Sequence, residues 1–148
     1  RLAKEFDIDY VIIHATEVHL IADELLEDNA RTIVGPVISE RCKPELRNHT
    51  IETAGVLNKA GVPMCICTDH PVVPEQYLPL SAGLAVRGGL DRDEALKAIT
   101  IYPAVITGIA DRVGSIEAGK DADIVIFSGD PLSVCDTPDM VIVNGTVI

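Results

Sequence analysis

The sequence predicts an α/β fold built on a parallel sheet, and three observations carry that prediction. Short apolar runs at residues 8–15, 31–36 and 62–68 end in polar or turn-forming residues, as strands buried on both faces do. Stretches with helical apolar spacing lie between them, at residues 17–29 and 50–60. Strand, helix and strand thus alternate, the mark of βαβ units with right-handed crossovers. The tail from Val113 to Ile148 breaks that alternation and reads as a small all-β unit.

The chain has 148 residues, within the range of one domain, and 47% of them are apolar, which excludes a disordered chain. Aromatic residues are 3% and Trp is absent, so the core must be aliphatic, and no stacking platform for single-stranded nucleic acid is available. A net charge of -11 repels phosphate backbones and anionic lipid, so neither nucleic acid nor a membrane is an expected partner. No apolar run approaches the ~18 residues of a membrane span. Cys42, Cys65, Cys67 and Cys135 contain no C-x-x-C pair, and they read as reduced, mostly buried thiols of a cytoplasmic protein.

Taken in order, Arg1 to Phe6 reads as the tail of a helix with nothing before it to pack against. Ile8 to Ala15 is a strand ending at His14. Thr16 is the expected N-cap of a helix over Glu17 to Asn29, with Val18, Ile21, Ala22, Leu25 and Leu26 as its apolar stripe. Arg31 to Pro36 is the next strand. The irregular stretch after it carries Arg41, Lys43 and Arg47, read either as a solvated loop or as a contact for an anionic substrate group. Thr50 caps a helix to Ala60, stopped by Gly61. Val62 to Thr68 is the third strand, and it runs into Asp69, His70 and two prolines. On strand alternation, Cys65, Cys67 and Asp69 share one face, and Ile66, Thr68 and His70 the other.

Helical spacing returns from Tyr77 to Gly88. Asp91 is the N-cap of a helix carrying Ala95, Leu96 and Ile99, and Pro103 to Gly108 adds a further short turn. In the tail, Ile124–Phe127 and Met140–Val143 are strands, and Asn144-Gly145 is a hairpin signal. Gly114 to Lys120 matches the spacing of a phosphate loop, but Asp121 stands where a hydroxyl must hold magnesium and a strand follows instead of a helix. That segment reads as a turn.

Ionisable groups at the carboxyl ends of buried strands sit where α/β enzymes place their chemistry. His14 and Asp69 therefore suggest metal-assisted hydrolysis. A metal lowers the pKa of bound water, and a carboxylate beside it carries a proton to the leaving nitrogen. Asp69 suits that role, and His14 suits a hold on the carbonyl oxygen. The alternative for Asp69 is a cap on the following turn. His19 reads as a surface residue and His49 as part of a polar loop.

The segments His14-Ala15-Thr16-Glu17, Gly35-Pro36, Lys43-Pro44-Glu45-Leu46-Arg47-Asn48 and Thr68-Asp69-His70-Pro71 resemble the second half of an amidohydrolase of the imidazolonepropionase-like group. Asp111 to Val125 resembles that superfamily's return into its small β-sandwich domain. The resemblance implies that residues 1–110 form the last three units of a (β/α)8 TIM barrel and residues 111–148 the last strands of the sandwich. It implies that Asp69 is a metal ligand and proton shuttle, that His14 is a metal ligand or substrate contact, and that the metal is zinc, with iron or manganese as alternatives. Arg41, Lys43 and His70 are the candidate substrate-binding residues. The His-x-His pair that the family carries on its first strand is missing. The expectation is therefore a fragment of a larger enzyme, inactive and weakly metal-binding alone, self-associating through open sheet edges. The competing expectation is a non-catalytic α/β scaffold or assembly module.

Overall fold

The computed structural model describes residues 2–148, so Arg1, the first residue of the expected opening helix, lies outside them. Helix α1 spans Leu2–Phe6 and buries none of its residues. Strands β1 (Val11–Ile12), β2 (Arg31–Val34) and β3 (Met64–Ile66) form a parallel sheet in the order β1-β2-β3. Val11 lies opposite Arg31, and Ile33 opposite Cys65. Burial alternates along β2: Thr32 and Val34 are buried, while Arg31 and Ile33 are half-buried. All three strands are shorter than their apolar runs. Backbone pairing outlasts the regular strand, with Ala15 N–H donating to Ile33 O and Cys67 N–H to Val34 O. Just beyond each strand the extended backbone breaks, at His14, Gly35 and Asp69, whose φ angles are all positive.

The expected helix over 17–29 is corrected. Residues 18–21 form a 3-10 turn, and only Ala22–Glu27 is α-helical (α2). Ile21, at φ -133°, breaks the two apart. Thr16 does not cap it; its carbonyl accepts the Thr53 hydroxyl at 3.1 Å. Helix α3 (Thr53–Ala60) begins later than expected. Thr50 Oγ1 accepts the Glu52 N–H at 3.3 Å in the turn before it, and Gly61 closes it at φ 82°. Helices α4 (Leu78–Arg87), α5 (Arg92–Ala98) and α6 (Ile101–Thr107) follow β3. Asp91 caps α5 as its sequence position implies, accepting from the N–H groups of Asp93 and Glu94.

The tail forms an antiparallel sheet of β4 (Ile124–Ile126), β5 (Met140–Val143) and β6 (Thr146–Val147). The hairpin signalled by Asn144-Gly145 forms: with both φ angles positive, the turn folds the two-residue β6, which was given no bounds from sequence, onto β5. The core is aliphatic. Leu57 is fully buried, among Ala54, Val34, Met64, Ile66, Ala82 and Ala85. Burying one such leucine contributes about 1.5–3 kcal/mol. Leu132 of the tail belongs to the same core, close to Gly83 of α4.

Candidate active site

Parallel strands bring their carboxyl ends to one side of the sheet, so the turns after β1, β2 and β3 meet there. His14 follows β1 and Asp69 follows β3, with β2 between them. Strands two apart are separated by about 9–10 Å, yet His14 Nδ1 lies 3.5 Å from Asp69 Oδ2. The two side chains must therefore lean toward each other across the end of β2. Both residues have φ of 56°, a left-handed conformation unusual for anything but glycine. Such residues cost about 1–3 kcal/mol each and cluster at functional sites. The expected alternation that placed Asp69 with Cys65 and Cys67 stops at this turn. The side chains of His14 and Asp69 are 54% and 32% accessible, so small molecules can reach both.

Gly35 closes the end of β2 onto β3. A β-carbon there would stand 2.2 Å from Cys67 O and 2.9 Å from Cys67 Sγ. Cys65 is buried and Cys67 half-buried. Burial, reinforced by Cys67, pushes the Cys65 thiol up to about 12. Burial also raises Cys67, against a hydrogen bond from the Asp69 N–H. Both stay neutral thiols at pH 7 and are not activated nucleophiles. Cys42 and Cys135 are exposed, contrary to the expectation of mostly buried cysteines; both lie in loops outside the sheet.

Two histidines differ from their expected settings. His49 is buried, not in a solvated loop: its ring lies 3.2 Å from Pro36 O. A carbonyl only accepts, so Nε2 is the donor. His19 is not free on the surface, because Nδ1 lies 2.9 Å from the Thr53 hydroxyl. Of the candidate substrate contacts, Arg41 Nε donates to His49 O at 3.0 Å, Lys43 is exposed in the same loop, and His70 is exposed beside Asp69. Glu17 and Asn48 are site-end residues that sequence reasoning did not single out. Glu17 Oε1 accepts the Asn48 N–H at 2.6 Å and Oε2 accepts Asn48 Nδ2 at 3.2 Å. The Asn48 backbone bond holds the Glu17 carboxyl below its ordinary pKa.

His14 and Asp69 are the donor types a zinc-type centre uses, but such a centre takes about three protein ligands plus water. Among the described residues no group of three or more His, Cys, Asp or Glu is placed to hold a metal ion. The donors fit in kind and fall short in number. A recess of about 330 Å³ lies at the opposite end of the sheet, lined by Val62, Met64, Tyr102, Val105 and Ile106. It lacks a carboxylate or imidazole, so it offers no rival chemistry. No helix among the described residues is long and apolar enough to cross a membrane.

Against solved structures, the whole chain superposes on 39% of an amidohydrolase from Thermotoga maritima MSB8, with a TM-score of 0.95 and 40% identity. A Xaa-Pro dipeptidase with bound methionine matches 93% of the chain at a TM-score of 0.73 and 24% identity, over 39% of its own length; at that identity the likeness concerns the fold alone. Amidohydrolase tasK of Hapsidospora irregularis is 32% identical over 136 residues, 90% of this chain and 14% of that protein. An imidazolonepropionase of Thermoplasma acidophilum is 41% identical over 70 residues, 46% of this chain and 17% of that enzyme. The chain therefore spans well under half the length of these relatives. The profile of the amidohydrolase family matches residues 2–148. A parallel α/β sheet with a separate antiparallel one, a full-length superposition and a family match over residues 2–148 place the chain in the amidohydrolase family.

Proposed function

We propose that this chain carries part of the active-site wall of a metal-dependent hydrolase acting on carbon–nitrogen bonds other than peptide bonds, cyclic amides first among them. The observation that carries the reading is the 3.5 Å approach of His14 and Asp69 across the mouth of the sheet, each held in a left-handed turn. In this reading residues 1–110 are three βα units of a (β/α)8 barrel, and residues 111–148 belong to its small β-sandwich. Strands adjacent in sequence are adjacent in the sheet, as a barrel requires.

His14 and Asp69 are the residues that would hold a divalent metal, zinc before iron or manganese, with the remaining ligands supplied from outside these 148 residues. When bound, such a metal supplies a Lewis acid and a water of pKa near ~7. The carboxylate of Asp69 accepts the proton of the attacking water and delivers it to the leaving nitrogen. His14 orients Asp69 and lies close enough to share the substrate carbonyl oxygen. Arg41 and Lys43 meet an anionic substituent of the substrate, and His70 flanks it. Because the donor set is incomplete within the described residues, the chain alone is inert.

In the full-length protein, Asp69→Asn is expected to lower kcat by about 10³-fold or more, as loss of a proton-transfer group does. The circular dichroism spectrum should be unchanged. Wild-type turnover in that variant removes Asp69 from the mechanism.

A further inference from the structure

Residues 36–49 leave the end of β2 and come back beside it as an Ω-type loop. Its neck is closed by His49, which is 7% exposed and donates to Pro36 O. Arg41 Nε braces the interior by donating to His49 O. Residues 43–49 wind through a 3-10 turn, with Leu46 N–H on Lys43 O and His49 N–H on Leu46 O. One further tie leaves the loop altogether. The Glu17 carboxylate takes both the backbone N–H and the side-chain amide of Asn48, across 31 positions of sequence. Glu17 lies three residues beyond His14, in the turn after β1. The bond pair thus joins the turn that carries His14 to the loop that carries Arg41, Lys43 and Arg47.

We propose that Glu17 is a positioning residue: its two-point grip on Asn48 locks the 36–49 loop at the carboxyl end of the sheet and so fixes where the loop's cations meet the substrate. Hydrogen bonds to an ionised acceptor are the stronger kind, and the bonds to Asn48, its backbone N–H first, hold the Glu17 carboxyl below its ordinary pKa. Arg47 lies close enough to stabilise that charge further. The Pro36–His49 neck and the Arg41 brace are internal to the loop, and Val37 seats only its first turn in the core; the Glu17 bonds are what tie its far, cation-bearing arm to the turn after β1. The part that concerns substrate rests on the hydrolase reading above; the part that concerns the loop does not.

The test uses the full-length protein and three variants: Glu17→Ala, Asn48→Asp and the double Glu17→Gln/Asn48→Asp. Asp at position 48 sets carboxylate against carboxylate. Adding Gln at 17 restores both bonds with one donor and acceptor exchanged. One readout is trypsin cleavage after Arg41 and Arg47 under native conditions, followed by mass spectrometry. The other is kcat and KM for a cyclic amide bearing a carboxylate and for its uncharged counterpart. Both single variants should cleave about tenfold faster in the loop, the scale of one charged hydrogen-bond pair lost. They should raise KM for the carboxylate substrate about fivefold while kcat and the uncharged substrate change less than about twofold. The double variant should recover both. Should Glu17→Ala not fold, Asn48→Asp and its rescue decide alone. Wild-type cleavage in the single variants, a double variant as loose as Asn48→Asp, or equal losses on both substrates overturns the proposal. If the wild-type protein hydrolyses neither substrate, the hydrolase reading falls, and the cleavage rates and their rescue still judge the clamp.

Discussion

A methyl group on Gly35 has no room: its β-carbon would overlap Cys67 O at 2.2 Å, and the backbone sits at φ 149°, where side chains are disfavoured. Gly35→Ala should therefore destabilise the fold by about 2–4 kcal/mol and spread the ends of β2 and β3. Urea unfolding monitored by circular dichroism checks it; a loss under about 0.5 kcal/mol, the range of ordinary surface changes, would show that the strands do not depend on this contact. At this scale the residues at the strand ends were legible. His14 and Asp69 stand where apolar runs give way to ionisable groups, and the fold brings them together. Their left-handed turns were not legible, because strand alternation carries no signal for a positive φ at a residue other than glycine. His49 was misread for a related reason: its partner, the Pro36 carbonyl, lies 13 residues away.

Among the elements, α3, α5 and α6 are tied by one side chain. Glu94 accepts from Asn58 Nδ2 at 3.2 Å, Tyr102 OH at 2.6 Å and Lys97 Nζ at 2.7 Å. Lys97 leads in holding its carboxyl below the usual 4.5, and the Tyr102 bond adds to this. A carboxyl depressed on folding stabilises the protein above its unfolded pKa, and that contribution is lost as pH falls below 4.5 through the folded value. Wild type should then melt higher than Glu94→Gln at pH 7, with the gap narrowing toward pH 3. A gap of equal size at both pH values would deny Glu94 that role. Helix ends with local chemistry, the Asp91 cap and the Gly61 stop, could be read from the chain. The helix expected over 17–29 could not, since Glu17 is drawn to Asn48 and Thr16 to Thr53, contacts that periodicity does not encode.

For the molecule as a whole, β1 and β3 each pair on one side only among the described residues, and Ile8 and Ile13 beside β1 are more than half exposed. Open parallel edges invite further strands. The 148-residue chain expressed alone should sediment as a concentration-dependent mixture of monomer and larger species, and release no product from cyclic amides. A single monomeric species across a dilution series would mean that these edges are adequately protected as they stand. The parallel α/β character and the all-β tail were evident from alternating patterns that need only nearest neighbours.

The tail is pinned to the helices that follow β3. Leu132 is 8% exposed within the main core, its carbonyl would lie 2.7 Å from a β-carbon on Gly83, and Arg92 of α5 bonds the Asp130 carboxylate that also receives the Leu132 N–H. Lineages exchanging this C-terminal piece by recombination would thus have to inherit a glycine on one helix, an arginine on the next and a leucine-sized plug as a single set. Shuffled chimaeras that swap only the plug, or only its seat, should be weeded out as misfolded before any chemistry is sampled.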